Sequence, residues 1–288
     1  MGRGLAKLLV DRGIDVVITD IDSAGARDRI QLDFESQRQA HTGKARFAAT
    51  AVDAAEEAEL VIEALPEILD LKVHVLREIL AHRPDIPIYS NTSSIPIDAM
   101  SAALDHPRTL LGVHFFNPPE IIPGVEVIPG EHTETQVVSD ALAFLRGLGK
   151  RPIVIKSSPG FIANRLQLAL FAEAARCLEE GLASAEDIDT IVVSTFGLRL
   201  ANYGPFAIAD MAGLDIFHAI QTMLATSYGD RFAVGSELDD RLASHRLGLK
   251  SGSGFYEYKD GDAARIALAR DLRYSRTIRA IEAADAVE

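Results

Sequence analysis

The stretch "LGVHFFNPPEIIPGVEVIPG" (111–130) holds one histidine, His114, and, twelve residues on, a carboxylate, Glu126, within an aliphatic run. A neutral imidazole, with an unperturbed pKa of ~6.5, can take a proton near neutral pH. A carboxylate on its far ring nitrogen would fix the tautomer and favour the imidazolium formed on proton uptake. Two readings are open from the residues alone. His114 is a core histidine beside a solvated strand-end glutamate, or it is a general base with an orienting partner.

Other polar residues stand where chemistry could use them. Ser93 follows the run "IPIYSN" and can donate a hydrogen bond to a substrate oxygen or cap the next helix. Asn164 in "PGFIANRL" falls within the first two turns of an expected helix, where asparagine is mildly unfavourable and calls for a compensating role. Glu67 and Lys72 sit at a strand-to-helix junction and read equally as a solvated first turn. Lys250 precedes a Gly-x-Gly turn, and plain surface charge is its competing reading. Cys177 and Met211 read as helix-face packing. No His, Cys or carboxylate cluster has metal-ligand spacing. The serines lack a nucleophile-elbow context, which excludes a hydrolase.

These residues must be positioned by strands. Short Val/Ile-rich runs at 15–20, 58–65, 86–91, 109–116, 124–130 and 151–158 are unbroken rather than alternating, as for strands buried on both faces. Helical patterns separate several of them, at 68–83 and 133–149. This order predicts an α/β, doubly wound parallel sheet. After Ser158 the character changes. A long helix is expected over 159–181 with Ser158 as N-cap and Pro159 at N1, and a capping box opens at Ser184 with Asp187. The segment from Pro205 to Gly229 is helical again, and no strand is expected beyond 158. The boundary therefore falls near 156, with a nucleotide-binding domain over 1–156 and an all-α domain over 157–288.

The 288 residues are 48% hydrophobic, enough for two domains with a sizeable core. No apolar run reaches the ~18 residues that cross a bilayer, and the opening residues do not read as a signal peptide. One cysteine, Cys177, precludes an internal disulfide and fits a reducing cytoplasm. A net charge of −13 argues against nucleic acid and anionic membranes as main partners.

The first residues, "MGRGLAKLLVDRGIDVVITDID", read as the back half of a dinucleotide-binding unit. Leu5, Leu8 and Leu9 mark a helix face, Gly13 ends the helix, and the next strand finishes on Asp20, where a carboxylate can take the ribose hydroxyls. Gly2 stands where the third glycine of G-x-G-x-x-G would lie. The first, central strand and two glycines are absent. Two strands are then expected to lack a partner between them, and about ten further residues are expected upstream in the natural polypeptide, the alternative being a real fragment or a divergent start.

The motifs "NTSS" (91–94), "GVHFFNP" (112–118), "VEVI" (125–128), "SPGFIANRL" (158–166), "GPFAIADMAGLD" (204–215) and "KSGSGFYEY" (250–258) resemble, in order and spacing, those of the 3-hydroxyacyl-CoA dehydrogenase family. The resemblance covers essentially the whole chain. It implies a Rossmann-type domain joined to a helical, dimer-forming domain, and NAD-dependent oxidation of the 3-hydroxyl of acyl-CoA thioesters. His114 then matches the catalytic histidine and Glu126 its carboxylate partner. Ser93 and Asn164 match the polar residues that contact substrate. Glu67, Lys72, Asn117 and Lys250 match cofactor contacts, Ser93 shares that role, and Asp20 matches the ribose-binding acid. The opening question is thereby answered in favour of a dyad.

The stretch between Asp20 and residue 58 looks roughly 20 residues shorter than the helical hairpin that helps grip CoA in such enzymes. Dehydrogenases of free hydroxy acids, of the gulonate or carnitine type, share the scaffold and form the rival reading. Asn164 argues against the carnitine type, and Phe115-Phe116 leans towards CoA. A non-catalytic binding protein on the same fold is the third reading. Because a carboxylate at Asp20 repels a 2′-phosphate, kcat/KM should be higher with NAD than with NADP; the reverse preference would remove Asp20 from the ribose.

Overall fold

The structure, a computed structural model, describes residues 1–20, 25 and 43–285. The stretch expected to be a shortened CoA hairpin lies largely outside the described residues. Helix α1 (Gly2–Asp11) leads into β1 (Val16–Ile18), and β2 (Ala45–Phe47) pairs with β1 in parallel. Then follow α2 (Ala51–Ala55), β3 (Val61–Glu63), α3 (Leu69–His82), β4 (Ile88–Ser90) and α4 (Ile97–Ala103). Strands β5 (Leu110–Phe115) and β6 (Gly124–Pro129), helix α5 (Thr135–Gly147) and β7 (Arg151–Val154) complete the sheet.

Five strands pair in the order β3-β4-β5-β6-β7, while β1-β2 form a separate two-stranded ladder. Among the described residues no strand is hydrogen-bonded between β1 and β3. Helices cover both faces. Leu5, Leu8 and Leu9 of α1 and Val137, Ala141 and Leu145 of α5 pack on Leu111, Val113, Phe115, Val125 and Val127. Val73, Leu76 and Ile79 of α3 and Ile97 and Met100 of α4 pack on Ile88, Leu110 and Ile128 opposite. The i, i+4, i+8 spacing of the α5 residues and the period of two along β5 produce these faces directly. His114 lies on the same side of β5 as Leu110, and Glu126 on the same side of β6 as Ile128.

Three expectations change. The sheet is not wholly parallel: β6 runs antiparallel to β5 because a short loop, residues 116–123, joins them where a parallel connection would need a crossover. The ladders, three to six residues long, are also shorter than the hydrophobic runs. Finally, the long helix α6 (Ala163–Glu179) starts at Ala163, not beside Ser158. Gly160 (φ +70) and Phe161 (φ +53) make a left-handed turn that drives the Phe161 ring into the core, fully buried.

Two compact units result, Met1–Ala172 and Glu173–Glu288. The second is helical: α7 (Ala185–Val192), a π turn (Val193–Gly197), α8 (Leu198–Leu200), α9 (Pro205–Ala212), α10 (Leu214–Tyr228), α11 (Ser236–Ala243) and α12 (Asp262–Asp285). Ser184 caps α7 by accepting from the Asp187 amide at 3.1 Å. The helix expected from Pro205 onwards breaks at Gly213, whose φ of +105 suits glycine. Asp210, 1% exposed, accepts hydrogen bonds from the amides of Phe255 and Tyr256 and the Tyr258 hydroxyl, and so ties down the loop 248–258. A Cβ at Gly248 or Gly254 would collide with Asp210. Among the described residues no helix is long and apolar enough to cross a membrane.

Candidate active site

The antiparallel register places His114 directly opposite Glu126. Their side chains meet with Nδ1 of the imidazole 2.9 Å from Glu126 Oε2, and both residues are buried. Among the described residues this is the ring's only hydrogen bond, so Nδ1 faces the carboxylate and Nε2 is left for another partner. Phe116 and Phe161 stand beside the ring at centroid distances of 4.5 and 5.7 Å. The other oxygen of Glu126 accepts from the amides of Ile162 and Ala163, both at 3.0 Å. One carboxylate thus orients the histidine and caps the start of α6, where backbone N–H groups lack helical partners and favour a negative charge.

Asn164, the second residue of α6, donates through Nδ2 to the Ser93 carbonyl at 2.8 Å. The structure therefore brings together Ser93, Asn164, His114 and Glu126 from four separate parts of the chain. Ser93 caps no helix, because α4 has Pro96 at its N-cap position. Its loop is held instead by Glu67. Oε1 of Glu67 sits in a nest of donors, closest to the Thr92 hydroxyl and Ser94 amide at 2.7 Å and the Ser93 amide at 2.9 Å. Burial works to raise the Glu67 pKa, but the Thr92 and Ser94 hydrogen bonds and the Lys72 charge outweigh it and hold the value at about 2.

Lys72, in the first turn of α3, points inward. Only 1% exposed, its ammonium lies 2.8 Å from Glu63 Oε1 and 3.1 Å from the Leu65 carbonyl, and 3.4 Å from Glu67. It secures Glu63 and Glu67, because a buried ammonium needs opposite charge around it. Ser90 donates to the other Glu63 oxygen at 2.5 Å. Lys250 belongs to the second unit and pairs there with Asp215. Asn117 is exposed on the loop after β5, and Asp20 is exposed just beyond β1.

The two glycines at the start of α1 differ in how closely they are packed. A Cβ at Gly2 would make only an ordinary 3.7 Å contact with Ala64, whereas one at Gly4 would stand 2.8 Å from the Pro119 ring. Close packing of α1 on the loop after β5 depends on Gly4, whose signal was the second glycine of "MGRG". The buried Glu63 was not singled out by sequence reasoning, and neither were buried Thr92 and exposed Ser94 as partners of Glu67; "SS" after a strand was the visible sign of a loop rich in donors.

A dinucleotide fits these residues. Helix α1 has no acid in its first turn, so the positive end of its dipole suits an anion. The Asp20 carboxylate stands at the end of the neighbouring strand. Among the described residues no group of three or more His, Cys, Asp or Glu could hold a metal.

A doubly wound nucleotide-binding sheet followed by helices, with a His-Glu pair at a strand pair, defines an NAD-dependent dehydrogenase class. The chain belongs to the 3-hydroxyacyl-CoA dehydrogenase family: residues 1–158 match its NAD binding domain and residues 160–258 its C-terminal domain. NAD is its cofactor. The chain is 36% identical over 270 residues to 5-formyl-3-hydroxy-2-methylpyridine 4-carboxylate 5-dehydrogenase of Mesorhizobium japonicum, covering 90% of this chain and 87% of the relative. It is 34% identical to the fatty acid oxidation complex subunit alpha of Shewanella amazonensis, over 92% of this chain and 38% of that protein. The chain thus spans little more than a third of that larger relative. Among solved structures, a 3-hydroxyacyl-CoA dehydrogenase from Archaeoglobus fulgidus aligns at a TM-score of 0.81 and 32% identity, over 98% of this chain and 95% of that one.

Since the Glu67 pKa lies below its usual value of 4.5, the ionised carboxylate stabilises the fold above that value and ceases to do so as pH falls towards 2. Glu67→Gln should therefore be less stable than the parent by a constant margin above pH 5 in urea melts, and the margin should close on acidification. A margin independent of pH would show that the charge of Glu67 is not what holds the 92–95 loop.

Proposed function

We propose that this chain oxidises the 3-hydroxyl of a 3-hydroxyacyl-CoA, or reduces the matching 3-ketoacyl-CoA, with NAD as the hydride carrier. The observation that carries the reading is the pairing of His114 with Glu126 beside Ser93 and Asn164. Bound NAD supplies the acceptor for the hydride that leaves C3. The hydroxyl proton goes to Nε2 of His114, and the C–O bond becomes a carbonyl. Glu126 holds the proton on Nδ1 and stabilises the imidazolium that results. Ser93 donates a hydrogen bond to the substrate oxygen, and Asn164 presents its amide to the same region. Asp20 takes the ribose hydroxyls, and Asn117 and the first turn of α1 contact the cofactor. Lys250, in the second unit, is a further candidate.

A second reading has a specific observation in its favour. The relative matched along most of its own length carries the name of a pyridine carboxylate dehydrogenase. A free carboxylate substrate uses the same dyad but no CoA grip. NADH oxidation with acetoacetyl-CoA against free acetoacetate and a pyridine aldehyde carboxylate separates the two. His114→Gln should lower kcat by ~10²–10⁴-fold on the true substrate, while NADH still binds; Glu126→Gln should cost less. Parental turnover in His114→Gln would remove the histidine from the mechanism.

We place the protein in the cytoplasm, in keeping with its single cysteine. We further read residues 157–288 as the substrate-binding and dimerisation domain. Helix α6 buries no residue, and Phe206, Ile220 and Met223 are more than half exposed. Apolar surface of this extent is characteristic of protein interfaces, and a second copy is the partner proposed. Sedimentation should give a dimer at micromolar concentration; a monomer would overturn the assignment.

A further inference from the structure

Lys150 lies between α5 and β7 and is only 7% exposed, yet among the described residues no carboxylate pairs with its ammonium. Its backbone is set by the end of α5. Gly149, at φ +76, turns the chain, and the Lys150 amide closes on the Leu145 carbonyl at 3.0 Å, the pattern of a glycine-terminated helix. The side chain then reaches across to the loop between β5 and β6. There Nζ donates to the carbonyl of Pro119 and, at 2.9 Å, to that of Ile122.

An ammonium buried without an acid is costly, and an apolar side chain of the same length would serve simple packing as well or better. Burial, together with the neighbouring Arg12 charge, lowers the pKa of Lys150, and only Glu120 opposes them. The cost is matched by the position of the loop it grips. That loop starts with Asn117, three residues after His114, and its buried Pro119 ring is where a Cβ on Gly4 would collide, in the first turn of α1. Glu120 lies against the same glycine. Lys150 thus fastens the loop whose outer side meets the helix start that a dinucleotide pyrophosphate would approach.

We propose that Lys150 is a positioning residue for the cofactor: by holding the carbonyls of Pro119 and Ile122 it sets the Asn117–Pro123 loop against the first turn of α1. The inference rests on the reading that Asn117 and α1 face NAD, and is independent of which substrate is oxidised.

The test is NADH titration by fluorescence on the full-length protein, with thermal melting and kcat at saturating NADH measured alongside. Lys150→Met leaves two carbonyls without a donor, and should raise the NADH Kd about tenfold while kcat at saturation changes less than about threefold. Lys150→Arg, which can still donate to both carbonyls, should recover most of the affinity. Pro119→Ala keeps the carbonyl but removes the ring that rests on Gly4, and should weaken NADH to a similar degree. Adding Lys150→Met to it should then cost little more. An NADH Kd within about twofold of the parent in Lys150→Met, with only the melting temperature lowered, would reduce Lys150 to scaffold. If Lys150→Met does not fold, Pro119→Ala decides, and an unchanged Kd there overturns the proposal. Because no acyl substrate enters the NADH titration, a wrong substrate assignment touches only the kcat comparison and leaves the Kd result intact.

Discussion

A single carboxylate holds the candidate site together. Glu126 divides its two oxygens between the His114 imidazole and the first amides of α6. A buried acid is costly unless its acceptor sites are filled, and here each oxygen is filled by an element the site requires. The histidine acquires a defined tautomer. The helix that carries Asn164 acquires a fixed starting point against the sheet. Neither arrangement needs the other chemically, but both need the antiparallel register that sets Glu126 opposite His114. A slip of one residue in that register would turn both side chains to the opposite face.

A second acid performs the matching task on the other side. Glu67 gathers the amides and hydroxyls of residues 92–95, and behind it Lys72 and Glu63 form a buried ion pair. Removing one member of such a pair leaves an uncompensated charge, which typically costs ~3–5 kcal/mol. The Ser93 loop is therefore held from beneath by Glu67 and from above by Asn164. Reactive groups that must meet a substrate at hydrogen-bond distance gain from supports of this kind, since orientation is a large part of the barrier.

The loop between β5 and β6 carries out a third adjustment. Lys150 and Gly4 approach it from two sides, one by hydrogen bonds and the other by the absence of a side chain. In the second unit the corresponding device is Asp210, which organises the 248–258 loop by accepting three hydrogen bonds. In each case a buried polar group fixes irregular backbone that no helix or sheet ladder would otherwise satisfy.

Much of this was legible in the residues themselves. Unbroken Val/Ile runs separated by helical patterns determined a doubly wound sheet, because strands covered on both faces have no polar side to display. The order of six motifs determined the family and singled out His114, Glu126, Ser93 and Asn164 as site candidates. Leu5, Leu8 and Leu9 determined the inner face of α1, as their helical spacing requires. Other features were decided only by the tertiary structure. The antiparallel turn at β6 depends on how a short proline-rich loop reverses the chain. The helix start at Ala163 depends on Glu126, a residue distant in sequence, supplying the cap that Ser158 was expected to give. The burial of Lys72 and Lys150 depends on carboxylates and carbonyls contributed by other segments. A lysine reads as solvated charge when taken alone, since sequence records which groups a side chain carries but not which distant backbone oxygens will surround it.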